Sequence, residues 1–225
     1  MKITNIEPQK KKQRFNIFLN GEFSFGVSAD VLFEEKLKVG RDLDESEVSK
    51  VIEQDQTKRL LDKSLRLLSY RPRSEKEVRD YLLRKQKIKE IEKSEVEKAQ
   101  YEKSIERVIS RLKDLDQIDD KEFALWWAEQ RSKFKPLGQS LIKLELRQKG
   151  IDVDIIEEVA KGAQGTEETN GSEVELAKKA ALKKLGSYKN LEKAEFRVKM
   201  GQFLARRGFS WDIIKKVVDT LSKKG

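Results

Sequence analysis

Residues 150–159 read GIDVDIIEEV and residues 208–217 read GFSWDIIKKV, so Gly, Asp, Ile-Ile and Val recur in identical places 58 residues apart. The phrase reads as a corner between two helices. Gly150 and Gly208 stand where a helix ends on a left-handed residue, a conformation glycine adopts at no steric cost. Asp152 and Ser210 follow as N-caps, whose side-chain oxygens accept an orphan backbone N–H. Ile151 and Ile156, and in the second copy Phe209 and Ile214, then occupy the two positions of a hydrophobic staple. Asp154 and Asp212 fall in the first turn, where the helix dipole favours negative charge. Ile155, Ile156 and Val159 share one helix face, as do Ile213, Ile214 and Val217.

The match extends backwards. Eight and four residues before each glycine stand Ile142 and Leu146 in one copy, Met200 and Leu204 in the other. An earlier stretch, EVRDYLLRKQ, places Val78 and Leu82 at the same offsets, with Gln86 in the glycine position. SYRPRSEKEV precedes it and KFKPLGQSLI precedes the second copy, which aligns Pro72 with Pro136 and Arg71 with Lys135. Ser74 and Glu77 have capping-box spacing. The third copy lacks the proline.

Each copy needs a further helix ahead of it, supplied by Leu61, Leu65 and Leu68, by Phe123, Trp126 and Trp127, and by Leu176, Ala180 and Leu185. The Trp pair at helical spacing reads as core rather than as a base-stacking platform. In the first copy the closing helix is SIERVISRL, with Ile105 and Val108 matching Ile156 and Val159. Reaching it requires an insertion near 87–99 that is charged and Gly-free, and so is expected to lengthen the helices. Three tandem units of roughly 50 residues read as a repeat array. The expected fold is mainly α: an elongated tandem array of three-helix repeats with a small N-terminal β-hairpin region. Its parts are a hairpin extension at 1–44 and repeats at 45–118, 119–162 and 174–225. GAQGTEETNGSE supplies a flexible linker at 163–173.

The N-terminal part differs in period. RFNIFLNGEFSFGV alternates apolar and polar residues on both sides of Asn20-Gly21, which favours a type I′ turn between strands at about 14–19 and 22–27. KITNIEP adds an edge strand ending at Pro8. The sheet is expected to pack on Val31, Leu32, Phe33 and Leu37, leaving QKKKQR (9–14) as an exposed basic turn. Everything after Asp44 reads as helix.

Composition narrows the chemistry. The 225 residues include no His and no Cys, so triads, thiolate nucleophiles and ordinary zinc sites are excluded, and neither GxxxxGK[ST] nor GxGxxG occurs. No tight carboxylate cluster supports a Mg²⁺-dependent nuclease. The expectation is a non-enzyme without a cofactor. No run of 18 apolar residues and no apolar leader core occur, giving a soluble, cytoplasmic reading. Net charge is +9. Residues 1–20, 58–90, 131–151 and 176–225 are net basic, and acidic stretches alternate with them. Such blocks fit a track for a polyanion, and they fit plain solubility.

LRLLSYRPRSEKEVRDYLLRK (65–85), LKDLDQIDDKEFALWWAEQRSKFKPLGQSLIKLELRQKGID (112–152) and the Gly-Phe-x-x-Asp-Ile-Ile corner together resemble the RecX family of recombination regulators. Asp116 and Gln117 depart from the Gly and aromatic that this family prefers. The resemblance implies a monomeric, non-enzymatic modulator in DNA repair and the SOS response. Its partners would be the RecA recombinase filament and single-stranded DNA, with inhibition of ATP hydrolysis, filament extension and strand exchange. The basic blocks nominate filament contacts. The first repeat offers Arg71, Arg73, Arg79, Arg84 and Lys85. The second offers Arg131, Lys133, Lys135, Lys143, Arg147 and Lys149, and the third Lys183, Lys184, Arg197, Lys199, Arg206 and Arg207. Each alone equally fits a solvated helix face. The alternative function is a general nucleic-acid-binding helical repeat protein with no recombinase partner.

Overall fold

Alternation around Asn20-Gly21 produces the expected hairpin in the computed structural model of the chain, which describes residues 1–10, 13–87, 94–162, 167–188 and 190–222. Strand β2 (Arg14–Leu19) pairs antiparallel with β3 (Glu22–Ser28), and β1 (Ile3–Pro8) pairs with β2 on its other side, giving the order β1-β2-β3. Asn20 and Gly21 both have positive φ, 50° and 92°, as a type I′ turn demands. The inward residues Ile3, Ile17, Leu19, Phe25 and Val27 form one apolar cluster with Val31, Leu37, Leu43 and Val51. Phe33, expected in that core, is instead 86% exposed. Val31 and Phe33 stand two residues apart on helix α1 (Ala29–Glu34), about 200° around its axis, so burying Val31 turns Phe33 outward.

Ten α-helices occur among the described residues. Helix α2 (Glu45–Leu68) starts at a complete capping box, Asp44 with Glu47. Its buried positions are Val51, Asp55, Leu60 and Ser64, whereas Leu65, expected inside, is 36% exposed. The helix serves two partners along its length, so its inward stripe follows Leu60 and Ser64 rather than Leu61 and Leu65. Arg14 also departs from expectation. Its guanidinium turns inward to Asp55, at 3.0 and 2.7 Å, and the Ser28 N–H donates to the same carboxylate at 2.8 Å. Helix α3 (Glu75–Lys87) and α4 (Glu95–Asp114) complete the first repeat, with Val78, Leu82, Ile105 and Val108 all buried. Part of the insertion lengthens α4, which begins at a Ser94–Glu97 capping box; residues 88–93 lie outside the described residues.

The second repeat consists of α5 (Asp120–Phe134), α6 (Gln139–Gln148) and α7 (Val153–Gly162). The third consists of α8 (Glu167–Leu185), α9 (Lys193–Arg206) and α10 (Trp211–Ser222), with a 3₁₀ turn at Gly186–Tyr188. Helix α8 begins inside the stretch read as a linker, because extending a formed helix adds a hydrogen bond per residue without a new nucleus. The chain divides into two compact units, Met1–Arg71 with Val78–Gln117, and Pro72–Glu77 with Ile118–Gly225.

Both repeated corners have the left-handed glycine, the helix-end pairing and the buried staple that their sequence predicts, and the side-chain cap is made at Asp152. Gly150 (φ 79°) and Gly208 (φ 81°) are left-handed. The N–H of Ile151 donates to Leu146 O and that of Gly150 to Arg147 O; Phe209 and Gly208 repeat this toward Leu204 O and Ala205 O. This is the Schellman pairing that satisfies a helix's last carbonyls. Asp152 Oδ1 accepts from the Asp154 N–H at 2.8 Å. The staple pairs Ile151 with Ile156 and Phe209 with Ile214 are buried. Asp116 takes the same left-handed role after α4, at φ 52°, with Gln117 N–H bonding Leu112 O.

Candidate nucleic-acid interface

Each corner receives the start of a helix from the preceding repeat, within the second unit. At the Gly150 corner the Ser74 hydroxyl donates to Lys149 O at 2.8 Å and also caps the Glu77 N–H. Lys76 Nζ donates to Gln148 O, and the Glu75 N–H donates to Asp120. At the Gly208 corner the main chain joins a serine hydroxyl in making the joint. The Gly138 N–H donates to Arg207 O at 2.8 Å and the Ser140 hydroxyl to Gly208 O at 2.6 Å. A Cβ at Gly138 would lie 2.0 Å from Gly208 O, so this approach needs a residue without a side chain.

The nominated cations sort by what they meet. In the first unit Arg79 forms a two-pronged pair with Glu106, its second prong 3.0 Å long, and Arg84 is exposed, with its Nε on the Asp80 carbonyl of its own helix. Arg71 is half-buried and carries an interaction within the chain. The side chain of Lys85 lies outside the described residues.

In the second unit Arg73 approaches Glu77 at 4.0 Å. Arg131 and Lys149 flank Trp127, with Cζ 4.4 Å and Nζ 4.2 Å from the ring centre. Arg131 Nε and Trp127 Nε1 donate to the same Glu145 oxygen, and Lys149 Nζ reaches Glu77 at 2.6 Å. Trp127 and Trp126 pack against the Phe123 cluster, so the Trp pair is core, as its spacing suggests. Lys143 pairs with Glu157 at 2.8 Å, and its ammonium holds the Glu157 carboxyl below the usual range. Lys133 pairs with Glu129, Lys199 with Glu195 and Arg197 with Asp219. Exposed pairs of this kind contribute little to stability and leave the cation within reach of a phosphate.

A different set gathers around the loop between α5 and α6. Lys183 Nζ donates to Phe134 O at 3.3 Å, and Arg207 donates to Pro136 O at 3.2 Å while lying 4.9 Å over the Phe203 ring. Lys135 sits in this loop and Arg206 adjoins Arg207; both are exposed, and among the described residues neither has an acidic partner within ion-pair distance. Lys184 lies 5.6 Å from the Tyr188 ring, and Arg147 is exposed on α6. The loop therefore brings its own Lys135 together with cations from α8 and the end of α9 that are far apart in sequence.

A second basic surface was not nominated. In the first unit an open groove of about 880 Å³ is lined by Arg14, Lys58, Arg59, Lys63 and Arg66, with Asp30 and Asp62 among its walls. The basic block at 58–90 contained these α2 residues, and their i, i+4, i+7 spacing was the signal that could have found them. Lys58 pairs with Asp30 at 2.7 Å, and that hydrogen bond raises its ammonium above the usual value, so this wall's cation already has a carboxylate partner. Among the described residues no group of three or more potential metal ligands occurs, and no helix is long and apolar enough to cross a membrane.

Family models match along the chain: the RecX N-terminal domain over 1–44, and the first, second and third three-helix domains over 61–99, 119–159 and 172–218. "Regulatory protein RecX" of Bacillus velezensis is 35% identical over 218 residues, covering 96% of this chain and 76% of that relative. The Bacillus subtilis protein of the same name is 34% identical over 220 residues, 97% of this chain and 76% of its own length. A crystal structure of regulatory protein RecX matches with a TM-score of 0.66 at 32% identity, covering 97% of this chain and 98% of that one. RecX from Lactobacillus salivarius matches with a TM-score of 0.56 at 29% identity, over 75% of this chain and 97% of the other.

Proposed function

Because the chain belongs to the RecX family of regulatory proteins, we propose that it is a non-enzymatic regulator that binds the RecA–single-stranded DNA filament and lowers its ATPase, extension and strand exchange. The observation that carries this reading is the cluster at the α5–α6 loop, where Lys135 and Arg206 stand exposed beside Lys183 and Arg207. Cations placed this way bind phosphate regardless of sequence, with an affinity that falls steeply as salt rises. The ion-paired cations Lys143, Lys133, Lys199 and Arg197 add a weaker background, since a phosphate must compete with a carboxylate for each. The N-terminal groove, with Arg59 and Arg66 on its rim, gives the first unit its own phosphate-facing surface.

The test is ATP hydrolysis by a preformed RecA–single-stranded DNA filament at low salt. Substoichiometric amounts of the folded protein are expected to slow it. A Lys135→Glu, Arg206→Glu double variant, folded by circular dichroism, is expected to inhibit several-fold less. Unchanged hydrolysis with the native protein would remove the reading in favour of a nucleic-acid binder without a recombinase partner, which would bind bare DNA tightly instead.

A further inference from the structure

Two aromatic side chains stand almost fully in water at equivalent places. Tyr70 is 78% exposed and Phe134 is 73% exposed. Each immediately precedes a basic residue and a proline: Tyr70-Arg71-Pro72 in the first repeat, Phe134-Lys135-Pro136 in the second. Exposing a Phe ring forgoes the transfer free energy that burial would return, so a folded chain gains nothing from it unless something covers the ring. A single exposed apolar side chain is ordinary; the same placement in two repeats, each beside a cation, is not.

The surroundings of Phe134 say what would cover it. The loop that carries the ring is held at several points. The Lys135 N–H donates to Arg131 O, Lys183 Nζ to Phe134 O, Arg207 to Pro136 O, and the Gly138 N–H to Arg207 O. The ring is therefore presented from a fixed backbone, with little ordering left to pay for on binding. Around it stand Lys133 on the preceding residue, Lys135 on the following one, and Lys183 at its own carbonyl. Lys133 is paired with Glu129, but an apolar partner surface would have to strip Lys135 and Lys183 of water with no carboxylate among the described residues to compensate. A single strand offers both halves of the match, phosphates for the lysines and a base face for the ring.

We propose that Phe134, with Tyr70 as its counterpart in the first repeat, is a base-stacking residue for single-stranded nucleic acid. This rests on the proposed filament reading and names the ligand group at its loop. Stacking requires an unpaired base, so it makes the surface select single strands over duplex, which phosphate contacts alone do not.

The test is fluorescence anisotropy with labelled oligothymidylate and an abasic oligonucleotide of equal length, each over a salt series. The native protein is expected to prefer the base-bearing strand. Phe134→Ala is expected to weaken that binding about tenfold and to abolish the preference, with the salt slope unchanged. Phe134→Trp is expected to retain binding and to show indole quenching by the strand. Lys135→Gln is expected to do the reverse: its slope of log affinity against log salt falls by about 0.7 while the base preference stays. The ring is exposed, so Phe134→Ala leaves the core intact, and circular dichroism checks this. If Phe134→Ala binds both strands like the native protein, or the native protein binds no bare strand, the stacking role is wrong. Filament inhibition measured in parallel then decides the regulatory reading separately. If Phe134→Ala loses filament binding alone, the ring docks on protein and the proposal falls.

Discussion

The Gly150 and Gly208 corners share a backbone and differ in how the preceding repeat is fastened to them. At Gly150 side chains do the work: the Ser74 hydroxyl holds Lys149 O, and Lys149 itself folds back over Trp127 to Glu77. At Gly208 a serine hydroxyl, from Ser140, again holds the corner carbonyl, but backbone also meets backbone through Gly138, and the cations near it stay at the surface beside an exposed ring. One joint consumes its positive charge internally and the other displays it. The difference teaches that a repeat can preserve its geometry while its copies divide the tasks of cohesion and binding.

The comparison breaks most sharply at Gly138. Gly138→Ala drives a Cβ against the Gly208 carbonyl, which belongs to a backbone that cannot rotate away. A loss of about 3 kcal/mol is expected, read as faster amide exchange over residues 209–217 with 151–159 still protected. Equal exchange at both corners would mean the two joints are not independent.

Ser74→Ala addresses the other joint. It removes the hydroxyl that caps the Glu77 N–H and serves Lys149 O. A loss of about 1.5 kcal/mol is expected, confined to the Gly150 corner. A Ser74→Gly variant separates the lost hydroxyl from any gain in close approach. The smallest effect is expected at Asp116, the left-handed residue after α4 where the two repeated corners carry glycine. Asp116→Gly relieves a strained φ at the cost of unfolded-chain entropy, so a gain of only about 0.5 kcal/mol is expected, as a small rise in thermal midpoint. A fall would show that the Asp side chain contributes there.

The corners were legible because every requirement in them is local. A left-handed glycine, a cap two residues on and a staple pair spaced by five residues are satisfied within ten residues of chain. The hairpin was legible for the same reason, since Asn20-Gly21 and strict alternation specify both turn and register. Phe33 was misplaced because residues two apart point to opposite sides of a helix, so α1 cannot bury both it and Val31; Leu65 was misplaced because the neighbour of α2 changes along its length, and a single-period reading assumes one neighbour throughout. Helix α8 begins earlier than composition suggests because helix extension follows from a helix already formed.

The amino-acid order by itself determined that this is a chain of three-helix repeats behind a small antiparallel sheet, with no His or Cys from which to build a Ser-His-Asp triad, a thiolate nucleophile or an ordinary zinc site. It also supplied the list of cations. Only the tertiary structure decided which of them are committed, since Lys149 meets Glu77, Arg131 meets Glu145 and Lys143 meets Glu157 across distances in sequence that no local pattern encodes. It likewise decided that Phe134 faces water while Trp127 does not. Burial and pairing belong to the opposing surface, and the opposing surface exists only once the chain has folded.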